Sequence, residues 1–187
     1  MIKHVMFDIE TLGTTPGSVV TSLGAVAFYK DGEVISSFET YFNIQEQLDV
    51  GMTVSGDTLV WWLKQSEEAK NSLVFGQEGR YNGVADMLIN FDLWVADYGL
   101  KENTTYWANG ASFDFPILER LYSEFGEDGP PWKYHNQRCF RTIKGLPGAN
   151  EVKPERHGVH HDALDDAKFQ MDWLLNINEL FDGKILE

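Results

Sequence analysis

The spacing of apolar positions changes period along the chain. In "IKHVMFDIE", "SVVTSLGAVAFYKDG" and "EVISSFETYF" the apolar residues are β-branched or aromatic and closely spaced, which predicts three successive strands, with "KDGE" as the hairpin turn between the second and third. From "SGDTLVWWLKQSEEAK" onward the period is helical: Ser55 or Asp57 can cap, and Leu59, Trp62 and Leu63 fall at i, i+3 and i+4. "GVADMLINFDLWVADYG" predicts a second helix ending at Gly99, "TTYWANG" a short strand, and "PILERLYSEFG" a helix with Leu118, Leu121, Tyr122 and Phe125 on one face. "KYHNQRCFRTI" fits a strand or irregular chain. The three glycines and two prolines between Ile143 and His160 predict a loop, and a last helix runs from about Ala163 to Leu180. Strands first, then helices alternating with strands, predict an α/β protein layered about one mixed sheet.

Certain acids interrupt these patterns. Asp8 and Glu10 sit in and just after "VMFDI", one residue apart, so a strand sends both to the same face. Two carboxylates about 4 Å apart repel by roughly 4 kcal/mol at an effective dielectric near 20, so such a pair needs protons, cationic side chains or metal unless the strand frays and leaves both solvated. In the last helix Asp165 leads down a face with Lys168, Asp172 and Asn176, which reads as solvent. Asp166 instead heads the apolar stripe of Phe169, Trp173, Ile177 and Leu180, where an uncompensated acid is costly. Asp162, just before the helix, reads as its N-cap. His161, outside the helix start, can approach the same place, and an ordinary surface histidine fits equally well; His160 reads as a plain loop residue. Asp114 occupies a strand-to-helix turn. Pro116 biases Phe115 away from helical geometry, so the helix is expected to begin at Pro116 with Asp114 just outside it, as a capping acid or a ligand.

At 187 residues with 43% hydrophobic content the chain supports a single domain, residues 1–187. A single cysteine, Cys139, rules out an intramolecular disulfide framework and fits a reducing compartment. No window approaches the roughly 20 apolar residues of a membrane span, so a cytoplasmic location away from membranes is expected. A net charge of −14 argues at first against nucleic acid. Locally, however, residues 133–156 hold six basic side chains (Lys133, Arg138, Arg141, Lys144, Lys153, Arg156) against two acids, a strip able to follow one strand's backbone, or an ordinary solvated loop.

Taken together, "FDIET", "NGASFDFPIL" and "HHDALDDA" resemble the DEDDh, or DnaQ-like, 3′-5′ exonucleases in order and spacing across most of the chain. The family's last motif, His-x-Ala-x-x-Asp-Ala, is met by His161, Ala163, Asp166 and Ala167. "WWLKQSEEAK", "SFDFPIL" and "NQRCFRTI" resemble a branch with bacteriophage exonuclease A and mycobacterial 3′-5′ exoribonuclease relatives, although Asn109 stands one residue further from Phe113 and Asp114 than in better-known members. The resemblance implies an RNase H-like fold, a five-stranded mixed sheet flanked by helices. It implies a metal-dependent 3′-5′ exonuclease that takes single-stranded DNA or RNA to nucleoside 5′-monophosphates by two-metal catalysis. Asp8 would bridge two Mg²⁺ or Mn²⁺ ions, Glu10 and Asp166 complete the first site, Asp114 support the second, and His161 deprotonate the attacking water. Carboxylate ligands suit such hard ions. Thr11 and Leu12 match the position that meets the terminal nucleotide. Trp61, off its helix's stripe, is the candidate for stacking on a base, Trp62 belongs to the core, and Asn109 and Arg138 join the substrate contacts. Related exonucleases often form homodimers. The competing reading is an inactive RNase H-like module that binds nucleic acid or a partner protein.

Overall fold

The three expected strands, β1 (Lys3–Thr11), β2 (Val20–Tyr29) and β3 (Val34–Tyr41), form an antiparallel meander, and β4 (Thr104–Ala108) and β5 (Gln137–Cys139) add parallel strands beyond β1. The sheet order is β3-β2-β1-β4-β5. The structure, a computed structural model, describes residues 2–75 and 83–187. The hairpin closes where "KDGE" predicts it: the Tyr29 N–H donates to the Glu33 carbonyl at 2.9 Å, and Gly32 takes the φ of +89° that the turn requires.

β1 is central, and both its faces are buried, which explains its near-continuous apolar run. Val5, Phe7 and Ile9 enter the larger core cluster with α4 (Val84–Asp97) and α5 (Asp114–Phe125). Met6 points the other way, joining Val26, Phe28 and Trp107 beneath α6 (Phe140–Ile143) and α7 (Ala163–Leu180). Each fully buried side chain of this size contributes about 1.5–3 kcal/mol.

The helical run from Ser55 is not one helix. α2 (Gly56–Trp62), capped by Ser55, ends at Trp62, and the Ser66 hydroxyl accepts the Ala69 N–H at 3.2 Å to start α3 (Glu67–Phe75). Of the expected stripe only Trp62 is buried, at 3% exposure, its indole N–H donating to the Thr11 carbonyl at 2.9 Å; Leu63 is 73% exposed. One anchored indole fixes so short a helix. α1 (Ile44–Asp49) has no apolar period to announce it: buried Gln47 holds it by bonding both the N–H and the carbonyl of Val20, at 2.8 and 2.7 Å. α5 begins at Asp114, two residues earlier than Pro116 suggested, because proline's missing N–H falls in the first turn, where no intrahelical partner exists. Among the described residues no helix is long and apolar enough to cross a membrane.

Candidate metal centre

Asp8 and Glu10 continue the Met6 face of β1, so they emerge where the layer beneath α7 ends. The β1–β2 register shifts between Glu10 and Thr11, a bulge that re-aims the strand end beside the acids. Gly24 pairs with Asp8, and a Cβ at Gly24 would collide with the backbone of Ala163 and Leu164. Glycine there lets the start of α7 rest directly on the sheet. Asp166, one turn inside that start and 8% exposed, then comes so close that single carboxylate oxygens of Asp8, Glu10 and Asp166 lie within 4.8 Å of one another.

Helix phase thus places Asp166, not Asp165, beside the strand acids. Asp165 is nevertheless not a simple solvent residue: its carboxylate accepts the Val159 N–H at 2.8 Å and ties down the loop that carries His160 and His161. Asp162 is the N-cap, accepting the Asp165 N–H at 3.1 Å and the Ser72 hydroxyl at 2.8 Å. Asp114, 2% exposed, lies beyond the last β1–β4 pair, Met6–Trp107, and the Ile9 amide helps to hold its charge.

These carboxylates lack enough positive charge around them. Burial pushes Asp8 up to about 6, against the Gln170 amide, which donates to it at 2.8 Å, and against Arg156. Glu10 is held well above the carboxylate range by burial and then by Asp8, Asp114 and Asp162, and Asp114 by burial and then Asp8. Arg156 pairs with Asp166 and lies over the Phe169 ring, 4.7 Å from its centroid. A divalent cation would favour every one of these charged forms, so the donor set fits such an ion.

His161 adopts φ +68°, its N–H donating to Asp166 Oδ2 at 3.3 Å. Its ring meets Trp61 edge-on, 4.7 Å between centroids, and lies 3.9 Å from His160. Burial, with His160 and Arg156 nearby, lowers its pKa to about 4, so the imidazole is neutral near pH 7. Ring nitrogens of both histidines come within 4.8 Å of an Asp166 oxygen and of each other.

Two pockets flank the acids. The first, about 360 Å³, is walled by Glu10, Thr11, Asp57, Thr58, Trp61 and Phe113. Trp61 is 41% exposed there. Leu12 is not on that wall; at 4% exposure it belongs to the core, its N–H and carbonyl paired to Val19 and Ser55. The second pocket, about 470 Å³, holds Asn109, whose carbonyl accepts from Arg141 at 3.0 Å. Arg138 reaches neither. It donates to the His135 and Gln137 carbonyls at 2.8 and 2.9 Å and lines a hollow with Ile2 and Thr104, at the end of the sheet away from the acids; on β5 it stands opposite Trp107, and those two carbonyls draw its guanidinium back along its own chain. Sequence reasoning missed Gln170, although it stands four residues after Asp166 on the same helix face, and did not single out Arg156, Lys144 and Lys153 from the basic run.

A family model for the 3′-5′ exoribonuclease Rv2179c-like domain matches residues 3–178. The chain is 26% identical over 158 residues to the exodeoxyribonuclease of Enterobacteria phage T4, covering 73% of this chain and 68% of that protein. It is 28% identical over 174 residues to the DNA polymerase III PolC-type of Staphylococcus saprophyticus, covering 88% of this chain and 10% of the polymerase. Among solved structures, the nuclease domain of 3′hExo, a DEDDh family member bound to rAMP, superposes with a TM-score of 0.66 at 14% identity, over 99% of this chain and 94% of that one. S. pombe Pop2p in its Mg²⁺- and Mn²⁺-bound form superposes with a TM-score of 0.61 at 14% identity, over 96% and 84%.

Proposed function

This chain belongs to the 3′-5′ exoribonuclease Rv2179c-like domain family, and on that premise we propose that its 3′-5′ exonuclease activity is metal-dependent, resides in one domain, and releases nucleoside 5′-monophosphates from single-stranded DNA or RNA. The fold is RNase H-like, shared with the DEDDh nucleases. The observation that carries the reading is the convergence of Asp8, Glu10 and Asp166 within 4.8 Å, in surroundings that leave their charges underbalanced.

Hard oxygen donors suit Mg²⁺ or Mn²⁺, the ions of the Pop2p structure. Two such ions, when bound, would ease deprotonation of water and offset charge on the attacking and leaving oxygens. Asp8, oriented by Gln170, together with Glu10 and Asp166 would hold such ions, and Asp114 would lend further support. His161, neutral at pH 7, takes a proton on an imidazole nitrogen as the water oxygen joins phosphorus. The bond from phosphorus to the upstream 3′ oxygen breaks, and that oxygen picks up a proton to become the new 3′-hydroxyl. The terminal nucleoside fits the 360 Å³ pocket, with Trp61 and Phe113 as apolar walls. Glu10 and Asp57 there accept from a free 3′-hydroxyl and repel a 3′-phosphate. A 3′-phosphorylated strand should therefore be shortened at least about tenfold more slowly, a deficit of about 1.4 kcal/mol, as measured on matched labelled strands.

The family description names RNA and the phage relative's name DNA. The deciding experiment follows 5′-labelled single-stranded DNA and RNA of one sequence with Mg²⁺ or Mn²⁺, beside Asp8→Ala and chelator controls. A ladder shortening from the 3′ end in wild type alone is expected. Equal cutting with excess chelator would remove the metal mechanism, and internal cuts on circular strands would replace exonuclease with endonuclease action.

A further inference from the structure

The second pocket, which Asp166 lines, carries charge that the chemistry above does not use. Its floor is aromatic: Phe169 and Trp173, one turn apart on α7, and Phe140 from α6. Its cations lie on those rings. Lys144 Nζ is 5.7 Å from the Trp173 ring and 5.8 Å from Phe140, and Lys153 Nζ is 5.3 Å from Trp173 and 5.7 Å from Phe169. Two ammonium groups thus share one indole, with the Arg156 guanidinium alongside on Phe169.

Among the described residues neither lysine has a carboxylate within 4.0 Å, and the acid in the pocket wall, Asp166, is taken by Arg156. Burial, then Arg141 and Lys153, lower the Lys144 pKa. In a chain with 29 acids and 15 basic residues, partners were available, yet two cations are gathered and left unmatched in one 470 Å³ hollow. Such a cluster opposes itself until an anion fills it.

His160, Asp166 and Gln170 stand in the wall of this pocket, and Asp166 and Gln170 also belong to or contact the carboxylate cluster. An anion held here therefore adjoins the carboxylate cluster, whose Glu10 in turn lines the nucleoside pocket. On a strand whose terminal nucleoside occupies that pocket, the next negative group past the scissile phosphate is the adjoining upstream phosphodiester. We propose, resting on the exonuclease reading, that Lys144 and Lys153 bind this upstream phosphodiester and so hold the strand in register for each cut.

The test compares K144Q/K153Q, which keeps the apolar stems over the rings, and the charge-retaining K144R/K153R with wild type. Substrates are a tetranucleotide and a nucleoside 5′-(p-nitrophenyl phosphate), whose single phosphodiester leaves nothing to place upstream. The expected result for the glutamine variant is a KM for the tetranucleotide raised about tenfold or more, at least fivefold beyond any loss on the ester, with restoration by arginine. Loss of the contacts to this one phosphate should also lower the slope of log affinity against log salt by about 0.7. Equal losses on both substrates, no loss on either, or a matching rise in the inhibition constant of nucleoside 5′-monophosphate would overturn the assignment, the last by pointing to product phosphate. Fluorescence anisotropy of the labelled tetranucleotide in chelator reads binding without turnover. Charge-dependent binding there, with no cutting under any metal, would keep the pocket and defeat the exonuclease reading; charge-independent binding would defeat the pocket alone.

Discussion

Asp8 sits among like charges with one amide, from Gln170, holding it, and its elevated pKa has a thermodynamic consequence. A carboxyl raised from 3.8 to about 6 binds its proton more tightly in the folded state, so the metal-free protein loses stability as pH rises from about 4 through about 6. Asp8→Asn keeps an acceptor for Gln170 and removes the charge. In chelator at pH 7 it should melt several degrees above wild type, with a shallower decline in Tm across that pH range, while losing Mn²⁺ affinity; a Tm unchanged or lowered would show that the charge is balanced after all. For His161 the informative substitution is Asn, because φ is +68° and asparagine tolerates the left-handed region. His161→Asn should lower the rate about 10²- to 10⁴-fold with Mn²⁺ affinity retained, as calorimetry and single-turnover kinetics would show. At this scale the sequence revealed the acids because each breaks its own local pattern, a charge in an apolar strand or at the head of an apolar stripe. Gln170 and Arg156 break none, being ordinary in a helix and in a loop, so only their neighbours in space mark them.

Between elements, the decisive contact is that of α7 with β2 at Gly24. Gly24→Ala should cost about 3 kcal/mol or more and weaken Mn²⁺ binding, since the helix start must move and carries Asp166 with it. Gly56→Ala, in open space at the first residue of α2, is the matched control and should be neutral or slightly stabilising; equal melting of the two variants would remove the close approach from the account. The β1–β3 meander and α7 were legible in the sequence because their periods are long and their caps and turn residues agree with them. α1 and the α2–α3 break were not, because a buried glutamine and a single indole fix those pieces through partners distant in sequence, Val20 and Thr11.

For the whole molecule, net charge −14 surrounds a small cationic strip. Only three of its six basic residues, Lys144, Lys153 and Arg156, reach the pocket beside the acids, with Arg141 behind at Asn109. With so few phosphate contacts and a repelling surface elsewhere, the enzyme should work distributively, releasing each strand after few cuts. A trap-challenge assay in which engaged strands are digested to the end before release would contradict this.

By itself the sequence determined the strand-first order of elements, the cap of α7, and which of two neighbouring acids, Asp165 or Asp166, heads the buried face, because periodicity and capping are local properties of the chain. The tertiary structure alone decided that Asp8, Glu10 and Asp166 share one spot, that Leu12 is core, that Arg138 lies at the far end of the sheet, and that Lys144 and Lys153 meet over Trp173. The meeting of the acids and that of the lysines depend on how α7 lies across β1 and β2, a placement set by Gly24 and the apolar layer between them, and no local pattern encodes where two distant segments cross.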